Sequence, residues 1–223
     1  MGLSYEEAAH ARARRLSVGD AVVLIDGSGA EADGVIAVLG RSGAQVKVSA
    51  VRAAGEAGPE IWLGVAAVRS ERLSWIAEKS GELAVARFAL IRSGRTQSHR
   101  AGAAALSRLE RLVREAAKQS GGTRWPRCEG LLDLDRAFHD APGDARFFVD
   151  FSGDAVPARL AARSAAILVG PEGGWTAPEG DAARKAGWSV VCLPAATLRT
   201  ETAAIAAVIL VRAAMARQVT GDK

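Results

Sequence analysis

The sequence predicts an α/β protein in which a mostly parallel sheet with helices on both faces follows a small β-rich domain. Apolar segments of strand length alternate with helical segments over most of the chain, whereas short strand-like runs separated by glycine turns fill its beginning. The 223 residues are 49% hydrophobic and 24% charged, which is typical of a globular protein. This composition excludes a collagen, a disulfide scaffold and a largely disordered chain.

Three short strands are predicted in the first part of the chain. They lie at 21–25, 34–39 and 44–50, and glycine-containing turns separate them. This spacing is typical of a β-meander or a small barrel. A linker rich in alanine and glycine follows at 53–59. We therefore predict one domain at 1–58 and a second at 59–223.

The second domain is predicted to alternate strands and helices. Apolar runs indicate the strands, and apolar residues at helical spacing, such as Leu106, Leu109 and Val113, indicate the helices. The predicted strands are 61–67, 87–91, 147–151, 165–170 and 189–193, and the predicted helices are 70–79, 103–120, 178–186 and 202–218. This alternation favours a parallel sheet that is covered on both faces.

Positive charge is concentrated in the middle of the chain. Residues 69–127 carry 13 basic and 5 acidic side chains, a balance of +8, although the net charge of the whole chain is +4. Clustered arginine and lysine attract phosphate backbones, so this asymmetry favours a nucleic-acid partner. A solvated face of arginine-rich helices is an equally good interpretation of the charge alone.

The sequence indicates a cytoplasmic protein with no membrane span and no metal. The longest apolar run, 203–211, is much shorter than the ~20 residues that a bilayer requires. The first ten residues lack the pattern of a secretory signal. Cys128 and Cys192 have no CxxC spacing, which fits a reducing compartment. No metal-ligand spacing relates the histidines, which are His10, His99 and His139.

The strongest local signal is an apolar strand that runs into a glycine-rich turn at 167–175. Thr176 and Glu179 have the spacing of a capping box, and Pro178 suits a first helical turn, so a helix is predicted to start at once. Free amides at the carboxyl end of a parallel strand bind ligands. A structural turn is the alternative. We expect Trp175 to line any pocket here, because it ends the turn.

A second strand, loop and helix start lie at 190–203. Arg199, Glu201 and two threonines stand between an apolar strand and a strongly apolar helix. Thr200 is expected to cap the helix, and the helix dipole favours Glu201 in its first turn. Because a capping residue can also face a ligand, a functional role stays open.

These two segments resemble the RsmE family of ribosomal RNA methyltransferases, which use S-adenosylmethionine to methylate N3 of a uridine in small-subunit (16S) rRNA. The resemblance rests on GPEGGW at 170–175 and LRTETA at 198–203, which occur in the family's order. Residues 78–83 and 115–121 also resemble family segments, so the similarity covers nearly the whole chain. The departures from the family pattern are Gly81, Ala84, Gly122, Pro194, Ala196 and Thr197.

The resemblance implies a PUA-like β-barrel for RNA, followed by a SPOUT-type domain whose C-terminal part is tied in a trefoil knot. It also implies a homodimer with a cofactor pocket near the dimer interface, and ribosomal RNA or the small ribosomal subunit as the partner. Relative to the family, the chain begins late, which indicates either a trimmed barrel or a misassigned start.

The resemblance also implies roles for individual residues. Those expected to bind the cofactor are Val169, Gly170, Pro171, Glu172, Gly173, Gly174, Leu193, Pro194, Leu198 and Thr202. Arg199 is expected to stabilise negative charge on the uracil oxygens, and Glu201 or Glu172 to accept its proton or orient it. Those expected to contact RNA are Arg12, Arg15, Lys79, Lys118, Gln119 and Arg124, although about half of such surface charges are expected to be merely solvated.

Two other functions are compatible with the sequence. The first is a non-catalytic RNA-binding or ribosome-assembly protein of the same fold, because Pro194 lacks the amide N–H that another residue would offer a cofactor. The second is a SPOUT methyltransferase that acts at another RNA position. Cofactor binding distinguishes the first function, and mapping the modified nucleotide distinguishes the second.

Overall fold

The computed structural model describes residues 1–53, 58–96 and 103–216. The chain divides into two compact units, Met1–Ala57 and Gly58–Lys223. Within the described ranges, no helix has both the length and the apolar character needed to cross a bilayer.

The first unit is a small antiparallel sheet with one helix. Its elements are β1 (Gly2–Leu3), α1 (Tyr5–Ala13), β2 (Ala21–Ile25), β3 (Ala30–Leu39) and β4 (Ala44–Ala53). The strand order is β1-β4-β3-β2. The three strands predicted here are present, whereas α1 and β1 are additional. Helix α1 buries only the alanines Ala8 and Ala11, so it lacks the large apolar residues that make a helix visible in a sequence.

The second unit is built on a six-stranded parallel sheet with the order β10-β8-β9-β5-β6-β7. The strands are β5 (Glu60–Ala66), β6 (Arg87–Arg92), β7 (Arg127–Asp133), β8 (Ala145–Ala155), β9 (Ser164–Val169) and β10 (Ser189–Cys192). The helices are α2 (Ser70–Glu82), α3 (Ala103–Gln119), α4 (Leu134–Asp140), α5 (Ala177–Lys185) and α6 (Thr200–Ala216).

The core of this unit has two layers because successive residues of a strand face opposite sides of the sheet. Ile61 and Leu63 of β5 pack with α2, α3 and α6, whereas Trp62 between them packs with α4 and α5. Helices therefore cover both faces, and the predicted α/β architecture is confirmed. The trefoil knot stays a prediction.

The structure corrects the predicted elements at three places. Strand β7 and helix α4 were not predicted, because β7 is an edge strand whose sequence, RCEGLLD, contains charges and a glycine. Helix α6 starts at Thr200 rather than at 202. The predicted end of this helix at 217–218 lies outside the described residues.

Gly81 departs from the family pattern for a reason that the packing explains. A Cβ atom at this position would lie 2.4 Å from the carbonyl oxygen of Val113 and 2.9 Å from the Cβ of Ala116. Helices α2 and α3 therefore approach so closely at this point that only glycine fits. Glycine at position 81 therefore serves the packing of α2 against α3 and does not belong to the glycine turn.

Candidate functional site

A cleft opens at the ends of β9 and β10, beside the middle of β8. Phe148 of β8 pairs with Val190 and Asp154 pairs with Val191, so residues 149–153 leave the ladder with β10 and form one wall. The glycine turn after β9 and the loop after β10 form the others. The lining residues are Val149, Asp150, Phe151, Val169, Gly170, Pro171, Gly174, Trp175, Leu193, Ala195, Ala196, Leu198, Thr200 and Ala203.

Trp175 fixes the glycine turn against the sheet. Its indole is 7% exposed and stacks on Phe148, with ring centroids 4.5 Å apart, and its Nε1 donates a hydrogen bond of 3.0 Å to the Val149 carbonyl. A Cβ atom at Gly170 would lie 3.0 Å from the indole, so the glycine lets the ring pack against the backbone. The expectation that Trp175 lines a pocket is confirmed.

Thr200 joins the two loops that the sequence singled out. Its hydroxyl donates a hydrogen bond of 3.0 Å to the Gly170 carbonyl, so it does not cap α6 as expected. Arg199 occupies the capping position instead, since its carbonyl accepts the amide of Ala203 at 2.8 Å. The hydroxyl is therefore used to hold the start of α6 against the glycine turn.

The loop after β6 anchors the far side of the glycine turn. The Arg95 guanidinium donates to the carbonyl of Gly173 and, at 3.3 Å, to that of Trp175. The carboxylate of Glu179 accepts hydrogen bonds from the backbone amides of Thr176, at 2.7 Å, and Gly94, at 2.8 Å. The predicted capping box at Thr176 and Glu179 is confirmed. The turn is thus preorganised by contacts from two neighbouring elements.

An arginine of α2 holds both glutamates that the sequence predicted to be functional. Arg72 forms an ion pair with Glu172, and its Nε lies 3.8 Å from Oε1 of Glu201. The Glu201 side chain is 16% exposed, and its Oε2 is buried without a hydrogen-bond partner among the described residues. A buried acceptor with no donor is energetically costly, and Glu201 is not among the residues that line the cleft.

Arg199 lies between two residues of the cleft lining. It is exposed, and within the described ranges its guanidinium forms no ion pair and no hydrogen bond. Its neighbours Leu198 and Thr200 both line the cleft. Arg199 itself is not among the lining residues, and its catalytic role stays a prediction.

Six of the ten residues expected to bind a cofactor line the cleft. They are Val169, Gly170, Pro171, Gly174, Leu193 and Leu198. Glu172, Gly173, Pro194 and Thr202 are exposed residues outside the lining. The cofactor role of all ten stays a prediction.

The sequence did not indicate Asp150, Arg72 or Arg95. Asp150 is the carboxylate of the cleft lining, and its Oδ1 accepts the amide of Ser152 at 2.9 Å. It lies in a segment that appears as an ordinary strand end. Arg72 and Arg95 reach the glycine turn from positions 100 and 78 residues earlier in the chain, so no local pattern marks them.

Two of the residues expected to contact RNA lie in the first unit. Arg12 is partly buried and donates to the carbonyl of Gly40, which ties α1 to the turn between β3 and β4. Arg15 is exposed, with φ +58°. Arg12 therefore has a structural task, and an RNA role for either arginine stays a prediction.

The other four candidates lie on α2 and around the end of α3. Lys79 forms ion pairs with Glu78 at 3.0 Å and Glu82 at 2.6 Å, so its charge is compensated. Lys118 lies 3.6 Å from Glu115. Gln119 and Arg124 are exposed. The RNA role of these residues also stays a prediction.

Neither thiol chemistry nor a metal is indicated at the cleft. Neither cysteine is among the lining residues, and burial raises the pKa of Cys128, in β7, to about 12. In the part of the chain that the structure describes, no three His, Cys, Asp or Glu side chains are grouped to hold a metal ion.

Comparisons with known proteins identify relatives of both units. A family model described as an RNA methyltransferase domain matches residues 56–212, and one described as an RNA methyltransferase PUA domain matches residues 3–49. The chain is 30% identical over 208 residues to a protein of Mycobacterium bovis named ribosomal RNA small subunit methyltransferase E. That match covers 88% of this chain and 79% of the relative.

Solved structures share the fold over nearly the whole chain. A probable rRNA-methyltransferase from Porphyromonas gingivalis is 28% identical, with a TM-score of 0.83 and coverage of 96% of this chain and 92% of that one. A ribosomal RNA small subunit methyltransferase E from Neisseria gonorrhoeae bound to S-adenosylmethionine is 24% identical, with a TM-score of 0.83 and coverage of 94% and 89%. At 24% identity, the similarity to the Neisseria gonorrhoeae structure shows a shared fold.

Proposed function

The chain belongs to the RsmE family of ribosomal RNA methyltransferases, and we propose that it transfers the methyl group of S-adenosylmethionine to N3 of a uridine in small-subunit rRNA. The observation that carries this proposal is the cleft formed by the glycine turn and the loop before α6, the two segments in which the family resemblance is concentrated.

The cleft suits a nucleoside cofactor that carries an amino-acid tail. It is open to solvent on one side and lined mostly by apolar side chains and glycines, as small-molecule sites commonly are. Val169, Leu193 and Leu198 provide apolar walls for an adenine, and backbone groups of Gly170 and Gly174 are accessible in the turn. Asp150 offers an acceptor for ribose hydroxyls or an ammonium group. These donors and walls fit S-adenosylmethionine.

Methylation of uracil N3 requires the protein to accept a proton and to stabilise negative charge. The cofactor supplies a methyl group on a sulfonium, so the S–C bond breaks as the N3–C bond forms and a thioether leaves. Since N3 of neutral uracil carries a proton, the chain must accept that proton and stabilise the negative charge left on the ring. Arg199 provides the positive charge, because no ion pair or hydrogen bond among the described residues engages its guanidinium.

Glu201 is the better of the two carboxylates for accepting the proton. Arg72 engages Oε1 of Glu172 directly, whereas Oε2 of Glu201 is buried and has no partner among the described residues. Arg72 would then keep both carboxylates oriented while leaving one oxygen of Glu201 available. Arg199 and Glu201 flank Thr200 at the start of α6, so both roles fall to neighbouring residues.

Cofactor binding is the first test. We expect S-adenosylmethionine and S-adenosylhomocysteine to bind the protein in a calorimetric titration, and Ala196→Trp to abolish this binding. Ala196 is exposed and lines the cleft, so an indole there would fill the cleft without disturbing the core. Ala161→Trp is the matched control, because Ala161 is equally exposed and lies outside the lining.

The titration distinguishes a methyltransferase from a non-catalytic RNA-binding protein of the same fold. If the folded protein binds neither compound, the methyltransferase assignment is wrong, and a non-catalytic RNA-binding role replaces it. Where binding occurs, small ribosomal subunits treated with the protein and labelled cofactor are digested, and the modified nucleotide is identified by mass spectrometry. A methyl group at any position other than N3 of uridine would contradict the proposed specificity.

The proton acceptor is tested by replacing each carboxylate with its amide. Glu201→Gln is expected to lower kcat by about 10²-fold, the lower end of the range for a general base, because the amide cannot take up the proton. Glu172→Gln is the matched control, since it weakens the other ion pair of Arg72 but leaves Glu201 in place. Equal losses in the two variants would show that the glutamates only orient the loop.

The proposal extends to the assembly and location of the protein. A homodimer is supported by two apolar side chains of the second unit, Phe151 in the cleft lining and Ile209 of α6, which are 69% and 49% exposed. A second copy would shield them and complete the cleft. The first unit is proposed to bind RNA, in line with its match to the PUA model. A cytoplasmic location is proposed as well, in line with a ribosomal substrate.

A further inference from the structure

Helix α3 exposes a row of cations along one face. Arg108, Arg111, Arg114 and Lys118 follow one another at intervals of three or four residues, so their side chains project from the same side of the helix. The opposite side packs into the core through Leu109, Val113, Ala116 and Ala117. Lys118 follows Arg108 by ten residues, so the row extends about 15 Å along the helix. We call these four side chains and Trp125 the α3 surface.

Most of the positive charge of the α3 surface is uncompensated. In the described ranges, Arg108, Arg111 and Arg114 form no ion pair, and only Lys118 has an acidic neighbour, Glu115 at 3.6 Å. This contrasts with Lys79 on α2, which two glutamates neutralise. These three arginines form no ion pair among the described residues, and an anionic partner would supply counter-charge to them.

An aromatic ring is built into this surface. The Arg114 guanidinium lies 5.0 Å and the Lys118 ammonium 5.5 Å from the centroid of the Trp125 ring. Trp125 is partly exposed although its Nε1 is buried, so the accessible part of the indole is carbon. Cations beside an exposed aromatic ring are the elements with which proteins hold single-stranded nucleic acid, through phosphate contacts and base stacking.

The α3 surface lies away from the cleft. Helix α3 connects β6 to β7, and Arg87 and Arg127, the first residues of these strands, pair with each other. Lys118 and Trp125, which come just before β7, are therefore at the edge where the strands begin. The cleft is at the edge where β9 and β10 end. A ligand of the α3 surface does not reach the cleft with the same nucleotide.

We propose that the α3 surface is a separate RNA-binding site, which holds the phosphate backbone of the substrate and stacks an unpaired base on Trp125. This inference rests on the proposed function for the identity of the RNA. It predicts that the surface contributes to substrate affinity while the chemical step is unaffected, since its contacts are with nucleotides remote from the target uridine.

The charge of the surface is tested with Arg108→Gln/Arg111→Gln/Arg114→Gln, in which glutamine preserves the helix. For methylation of small ribosomal subunits, KM is expected to rise, and the slope of log KM against log salt concentration to fall by about 2 to 3, with kcat unchanged. The matched control removes three charges from the opposite face of the sheet, with Arg136→Gln/Arg184→Gln/Lys185→Gln. The control is expected to keep the wild-type slope.

The ring is tested with Trp125→Leu and Trp125→Phe. The leucine variant is expected to weaken binding to the RNA by at least about fivefold, and the phenylalanine variant to retain most of the affinity because it keeps an aromatic ring. Equal losses in the two variants would overturn stacking at this position. Circular dichroism checks that both variants retain their helices.

The two proposals fail in different ways. If the triple variant and its control have the same salt slope, the α3 surface is merely solvated and the inference is wrong, whether or not the protein methylates RNA. If wild-type protein transfers no methyl group but the triple variant alone loses RNA affinity, the surface stands and the proposed function falls. A short RNA that contains only the target uridine and its neighbours should be methylated equally by wild type and triple variant.

Discussion

The Arg199→Ala variant is expected to lose about 10²- to 10³-fold in kcat while it binds S-adenosylmethionine with unchanged Kd. The proposed reaction leaves negative charge on the uracil ring when N3 loses its proton. Arg199 caps α6 between two cleft-lining residues, and its guanidinium has no competing partner among the described residues. Its charge is therefore available in the transition state, and removing it leaves the cofactor walls intact. Single-turnover methylation and calorimetry measure the two quantities separately.

Arg69→Ala is the matched control for this prediction. Arg69 is also an exposed arginine at the cap of a helix that follows a strand, here the start of α2 after β5. Its replacement removes the same charge, so any loss shared by the two variants reflects general attraction of RNA. Arg199→Lys should recover part of kcat, because lysine keeps the charge but lacks the planar donor fork. Normal turnover in Arg199→Ala would remove this residue from the mechanism.

Local sequence patterns were sufficient for most of the second unit, because its central strands are continuous apolar runs. Strand β9, for example, is buried at Ala165–Val169 and lies between two other strands. Strand β7 was not predicted because an edge strand tolerates charges such as Glu129. The Glu129 carboxylate accepts a hydrogen bond of 3.1 Å from Nε1 of Trp62. The pattern that marks a strand is thus weakest where only one neighbour pairs with it.

The candidate site also has parts that the sequence predicted and parts that it did not. The glycine turn and the loop before α6 each combine a strand end, a turn and a helix start within a few residues, so they were visible in the sequence. The cleft also depends on Asp150, Arg72 and Arg95, which other elements supply. Only the folded sheet brings them together. Thr200 illustrates the limit, since its position favours a cap but its hydroxyl is used to join the two loops.

Trp175→Ala is expected to destabilise the protein by about 3 to 5 kcal/mol and to abolish cofactor binding. The indole is buried, stacks on Phe148 and hydrogen-bonds the Val149 carbonyl, so its loss leaves a cavity under the glycine turn and an unpaired acceptor in the cleft wall. The turn would then lose the contact that sets its distance from β8. Urea unfolding measures the first effect, and calorimetry below the unfolding transition measures the second.

Trp188 provides the control that separates stability from the site. It is also buried, makes an edge contact with Phe138, and donates its Nε1 to a backbone carbonyl at 3.2 Å, but it lies outside the cleft lining. Trp175→Phe and Trp188→Phe should each destabilise the protein by about 1 to 3 kcal/mol, because each removes the Nε1 hydrogen bond to a backbone carbonyl and part of a buried ring. Only Trp175→Phe should weaken cofactor binding. An equal Kd for the two phenylalanine variants would mean that Trp175 stabilises the fold without shaping the cleft.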